Sequence, residues 1–193
     1  MAITLNGNGT ISGVSVGGLP DGIVDTDMLA AGAATQAKRT YATGEIIQIK
    51  TDARSGNSVD VTSTKQTPFG ADLEVSITFS STSNLCYVSC FIPDVYNFAA
   101  ANASMHAGFS HSTDNFSSNQ VSIGSDNLSA FINYHGSTDA FLEPTSYDTS
   151  VTCPTTSAIK IRPHFTPVGG TIRLVANNIG VAHLTVMEIK AWV

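Results

Sequence analysis

The chain has 193 residues, 42% hydrophobic but only 12% charged, and a formal net charge of −6 from nine Lys plus Arg against 15 Asp plus Glu. The length suits one domain, or one domain with an appendage, and is enough to bury a substantial core. With so few cations and no basic run, the chain lacks the counterion-releasing surface that nucleic-acid binding requires, and no stretch approaches the roughly 18 apolar residues of a membrane-spanning helix.

Residues 1–22 carry Gly at positions 7, 9, 13, 17, 18 and 22. Between these glycines stand the β-branched Ile11, Val14 and Val16, so Thr10–Val16 reads as a short strand. Leu19-Pro20-Asp21-Gly22 has Pro and Gly at the second and fourth positions of a turn. Asp25-Thr26-Asp27 precedes Met28-Leu29-Ala30-Ala31 and Gly32. Such an N-cap and terminator predict a helix of one or two turns. Too few apolar residues are present for a separate core, so residues 1–44, ending in a small polar linker, read as an extended arm that must lie on something else. Its candidate anchoring residues are Ile11, Val14, Val16, Leu19, Pro20, Met28 and Leu29. Met1–Leu5 lacks the basic start and apolar run of a signal peptide, so synthesis and assembly in a cytoplasm are expected.

From Glu45 onward the signal is β. Ile46–Ile49 and Val59–Thr62 read as strands flanking a turn at Ser55-Gly56-Asn57. Leu73–Phe79 alternates strictly, with Leu73, Val75, Ile77 and Phe79 inward and Glu74, Ser76 and Thr78 outward, the pattern of a half-buried antiparallel strand. Leu85–Ile92 is apolar on both faces and reads as a central or interface strand ending at Pro93. Ala103–Ser110, Gln120–Ile123, Leu128–Tyr134, Ala158–Arg162, Thr171–Val175 and Val181–Val193 follow, separated by turn residues. About nine or ten short strands without βαβ alternation predict an all-β antiparallel sandwich, jelly-roll-like, over residues 45–193. No internal repeat and no heptad run interrupts this reading.

The residues that carry chemistry have structural readings. Cys86 and Cys90 stand four residues apart on one strand, about 13 Å, too far for a disulfide; with Cys153 they read as buried free thiols. His106, His111, His135, His164 and His183 are scattered, without His-x-His or Glu-x-x-His spacing, so no metal or cofactor is expected. No Gly-x-Ser-x-Gly occurs. The turn chemistry of Asp52, Asp94, Asp114, Asp126, Asp139 and Asp148 accounts for those acids. Glu74, Glu143 and Glu188 remain as candidates for the paired carboxylates of glycan cleavage. Tyr87, Phe91, Tyr96 and Phe98 belong to an aromatic-rich middle, suited to a subunit interface or a sugar-binding surface.

The opening Ile3-Thr4-Leu5-Asn6-Gly7-Asn8-Gly9-Thr10-Ile11-Ser12-Gly13-Val14-Ser15-Val16-Gly17-Gly18-Leu19-Pro20-Asp21-Gly22, continued by Val24-Asp25-Thr26-Asp27-Met28-Leu29-Ala30, resembles the N-terminus of small virion proteins of cyanophages, often labelled tail-fibre-like. Leu73–Asn84 and Leu184–Ala191 are similar to further stretches of those proteins. The resemblance implies a non-enzymatic homotrimeric knob on the virion surface, similar to the jelly-roll heads of phage fibres, needles and capsid decoration proteins. Its implied partners are other copies of itself and the major capsid protein or a tail component. An arm and knob without a shaft suit a capsid decoration (cement) protein. The alternatives are a tail-fibre head or adaptor that binds a host surface glycan and, with less support, a polysaccharide-degrading tail spike.

Overall fold

The computed structural model describes residues 4–5, 11–12, 40–97, 104–124, 143–168, 170–176 and 180–191. The chain falls into two compact units, Met1–Thr40 and Tyr41–Val193. In the first, β1 (Thr4–Leu5) pairs antiparallel with β2 (Ile11–Ser12). The rest of the strand expected at Thr10–Val16, the turn at Leu19–Gly22 and the helix over Asp25–Gly32 lie outside the described residues. So do Val14, Val16, Leu19, Pro20, Met28 and Leu29.

The second unit contains β3 (Ile46–Arg54), β4 (Gly56–Val61), β5 (Val75–Ile77), β6 (Leu85–Asn97), β7 (Ser104–Ser112), β8 (Val121–Ile123), β9 (Glu143–Thr152), β10 (Ile159–Val168), β11 (Ile172–Ala176) and β12 (Ala182–Ile189). The larger sheet runs β3-β12-β6, with β9 on the other flank of β6 and β11-β4 beside its far half. The smaller sheet runs β5-β10-β7-β8. Leaving out the added pair β4 and β11, the eight remaining strands are ordered first-eighth-third-sixth in one sheet and second-seventh-fourth-fifth in the other. That is the strand order of a jelly roll. The chain is therefore an all-β antiparallel sandwich of this type.

The core lies between the sheets because the inward positions of each strand are apolar. Cys86, Val88, Cys90 and Ile92 of β6 are fully buried, as are Leu184 and Val186 of β12, Ile161 and Phe165 of β10, and Met105, Ala107 and Phe109 of β7. Tyr147 of β9 stacks on Phe109 with ring centres 4.8 Å apart and meets the Phe165 ring edge-on at 6.0 Å. The three cysteines are free and buried. Leu73, Val75, Ile77 and Phe79 face inward as their alternation requires, although ladder pairing is confined to Val75–Ile77.

Three expectations need correction, two of them because of proline. β6 does not stop at Pro93 but continues to Asn97. The missing N–H of Pro93 falls where both neighbouring ladders are interrupted: the β9 register shifts between Ile92 and Val95, and on the other flank β12 gives way to β11. Gly180 sits against this proline, where a Cβ would lie only 2.6 Å from Pro93 Cβ. Likewise β10 extends beyond Arg162 through Pro163 and Pro167. Phe165 exchanges both backbone hydrogen bonds with Gln66, so the prolines two residues to either side turn their nitrogens to that same flank. No strand of the described residues continues there. Third, β9 had no counterpart among the expected strands. It is a hydroxyl-rich edge strand whose core side carries Tyr147 and Val151 among threonines, so hydrophobic alternation is faint. The candidate strand Leu128–Tyr134 lies outside the described residues.

Candidate functional site

Polar side chains gather on the outer face of the smaller sheet and in the loop after β7. Glu74 lies just before β5, on the side opposite the buried Leu73 and Val75. Its Oε2 accepts from Arg162 Nε at 2.7 Å, and its Oε1 is 2.7 Å from Lys160 Nζ. Its backbone N–H donates to Asp52 Oδ2. The Arg162 guanidinium also covers the Phe116 ring at 4.3 Å.

Phe116 and Asn115 both adopt left-handed backbone with φ of 61°, an uncommon state for residues with a Cβ. Asp114 holds them there. Its Oδ1 accepts from Ser112 Oγ at 2.6 Å, and its Oδ2 accepts from Ser118 Oγ at 2.6 Å and from the Ser118 and Asn119 backbone N–H groups at 3.0 Å. The hydrogen bonds from Ser112 and then Ser118 hold the Asp114 carboxyl well below the usual carboxylate range. Asn115 Oδ1 in turn accepts from Lys160 Nζ at 2.6 Å. This loop, β3, β5 and the start of β10 together wall a cleft of about 550 Å³, in which hydroxyls, amides and the ammonium groups of Lys50 and Lys160 alternate with the apolar Ile77, Ala158 and Ile159.

Glu188 makes a second, separate network. Its strand position turns it inward, and it is fully buried. Its carboxylate accepts from Gln48 Nε2 at 2.7 Å, Ser80 N at 2.9 Å, Ser80 Oγ at 2.6 Å and Asn84 Nδ2 at 2.6 Å. Burial alone would raise its pKa; the bonds from Ser80, Gln48 and Asn84 outweigh that and hold it below the ordinary value of 4.5. Chemically it ties the β5–β6 turn to β12 and β3.

A nucleophile–base distance does occur. Ser110 Oγ lies 2.7 Å from His164 Nδ1 and accepts from Gln120 Nε2 at 3.0 Å. Both Ser110 and His164 are completely buried, so no substrate reaches the hydroxyl in this conformation. Gly108 makes room for the imidazole: a Cβ there would stand 2.7 Å from His164 Nε2.

Of the three glutamates singled out in the sequence, Glu74 and Glu188 are thus each enclosed by their own donors, and the side chain of Glu143, at the start of β9, lies outside the described residues. Tyr87 and Phe91 share the outer face of the larger sheet, the first half-buried and the second exposed. Tyr96 belongs to β6 opposite Arg173, and Phe98 lies outside the described residues. Turn chemistry alone does not reveal the role of Asp114; its local signal is Ser112-x-Asp114-x-x-x-Ser118, hydroxyls flanking a loop aspartate. Among the described residues, no three of His, Cys, Asp and Glu are grouped to hold a metal ion. Among the described residues, no helix is long and apolar enough to cross a membrane.

No protein-family model matches the chain, and no curated protein does. Among solved structures it is similar to a chain of infectious bursal disease virus, Gt strain, at 13% identity and a TM-score of 0.32, over 90% of this chain and 43% of that one. It is similar to VP2 of the infectious bursal disease virus subviral particle at 12% identity and a TM-score of 0.32, over 90% and 42%. A third likeness is to the CBM22-1 xylan-binding domain of Paenibacillus barcinonensis, at 10% identity and a TM-score of 0.29, over 79% of this chain and 100% of that domain. The chain spans less than half the length of the two viral chains. Likenesses at these TM-scores carry no argument about function, and the fold rests on the strand order itself.

Proposed function

We propose that the chain is a non-enzymatic structural protein of a phage particle: a homotrimeric jelly-roll knob held to the particle surface by its N-terminal arm and assembled in the host cytoplasm. The observation that carries this reading is the jelly-roll strand order of residues 41–193, together with the division of the chain into that unit and a second compact unit of residues 1–40. Virus shells and lectins use this architecture; the step from fold to role is an analogy. The resemblance of residues 3–30 to cyanophage virion proteins supports the particle and the trimer. The enclosure of Glu74, Glu188, Ser110 and His164 by neighbouring side chains supports a non-enzymatic role.

An arm that lies along a shell and a knob that projects from it suit a capsid decoration protein bound to the major capsid protein. One observation favours a tail-fibre head or adaptor instead: the cleft beside Lys50 and Asn115, which sets hydroxyls and amides next to the apolar Ile77, Ala158 and Ile159, offers both the hydrogen-bonding and the apolar contacts that a host glycan uses. Quantitative mass spectrometry of purified particles separates the two, with hundreds of copies expected for decoration and a few dozen at most for the tail. Absence from purified particles would overturn both. Removing residues 1–32 is expected to leave the knob folded and abolish its sedimentation with particles.

A further inference from the structure

β3 wears its polarity inside out. The side it turns toward the other sheet carries Gln48, Asp52 and Arg54, which bond Glu188, the Glu74 N–H and Asp72 respectively. Its outward side carries Ile46 and Ile49, 49% and 51% exposed. At a sheet edge, natural proteins ordinarily place charge in such positions to prevent association. The register extends the apolar surface inward. Ile46 stands beside Ile189 and Leu85, and Ile49 beside Met187 and Tyr87, so two adjacent rows are apolar across three strands.

We infer that this block, at the β3 edge of the larger sheet's outer face, is the surface through which copies of the chain meet. Charge identifies the occupant. The chain carries −6, so like copies repel wherever that charge is displayed. Across the outward positions of β3, β12, β6 and β9, four rows of four side chains, the one formal charge is Asp148. A charged partner, nucleic acid or anionic lipid would find nothing there to pair with, whereas a second acidic copy can approach without penalty. The position fits as well. A block at the corner of a sheet, rather than in its middle, can bring the same residues of each copy together around a symmetry axis. Apolar surface of this kind, contiguous and uncharged, is characteristic of interfaces.

This inference rests on the self-association in the proposed function but not on attachment to a particle. The test is light scattering coupled to size exclusion on the full chain, at tens of micromolar, for wild type, Ile49→Glu, Ile49→Thr and Val121→Glu. Val121 is comparably exposed at 45% but lies on β8 of the other sheet. Wild type and Val121→Glu are expected to be trimers. Ile49→Glu should raise the dissociation constant roughly 100-fold, as for an anchor residue, and Ile49→Thr roughly tenfold, with circular dichroism unchanged for both. If Ile49→Glu fails to fold, Ile49→Thr alone decides. An undiminished trimer in both Ile49 variants, or equal loss in Val121→Glu, places the interface elsewhere. A monomeric wild type removes self-association altogether, and particle copy number then judges the virion reading separately.

Discussion

Glu188 offers the most direct test of how this sandwich is held together. Glu188→Gln keeps the size and shape of the side chain but replaces one acceptor oxygen by an NH2 group. If the amide nitrogen takes the Oε2 position it faces Gln48 Nε2, which cannot flip without losing its 2.7 Å bond to the Thr78 carbonyl. If it takes the Oε1 position it faces Ser80 and Asn84. The first orientation sets donor against donor in a fully buried site, and the second forces the Asn84 amide to turn its otherwise unbonded Oδ1 inward and bury its NH2 instead. Hydrogen bonds to a charged group contribute about 1.5–3 kcal/mol each, and a broken buried network costs about 3–5 kcal/mol. A loss of about 3 kcal/mol is therefore expected at pH 7, or roughly 6–12 °C in Tm for a unit of this size. The pH dependence adds a second constraint. Because the folded pKa lies below the ordinary 4.5, the carboxylate's contribution is fully present above that value and is lost as pH falls through the folded value. Urea titrations from pH 7 down to pH 3 should thus show wild type and Glu188→Gln converging as the solution becomes acidic. A variant within about 0.5 kcal/mol of wild type at pH 7, or a gap that widens on acidification, would refute the reasoning.

Two other outcomes follow from the buried groups. Gly108→Ala should cost about 1–3 kcal/mol by overpacking, since the imaginary Cβ meets an imidazole pinned at its other nitrogen by Ser110; adding His164→Ala should recover part of that loss in a double-mutant cycle. Burial pushes the thiols of Cys86, Cys90 and Cys153 up to about 12, so native protein at pH 8 should resist iodoacetamide and unfolded protein should take up three equivalents, counted by intact mass.

Much of the fold was legible because burial in a sheet imposes a period of two. Leu73, Val75, Ile77 and Phe79 and the one-faced Cys86, Val88, Cys90 and Ile92 announce their core face without any tertiary information. The same rule failed at β9, where serines, threonines and an aspartate occupy an edge strand and only Tyr147 and Val151 give the core side an apolar mark. It failed again at Pro93 and Pro163, because whether a missing N–H matters depends on which flank has a partner. At β12 the local pattern leaves Met187 and Glu188 ambiguous. The structure turns Glu188 inward and Met187 outward, because a carboxylate ringed by donors from Gln48, Ser80 and Asn84 is tolerable inside.

The candidate sites divide in the same way. Composition and the strand signals follow from residue chemistry summed along the chain, so the sequence alone determined an all-β class. The Glu74–Arg162–Phe116 stack, the sealed Ser110–His164 pair, the Glu188 network and the apolar corner at Ile46 and Ile49 join residues far apart in the chain, 140 positions in the case of Gln48 and Glu188. No local pattern encodes such pairings, because they arise only when sheet order and register set distant strands side by side; that part of the protein was decided by tertiary structure alone.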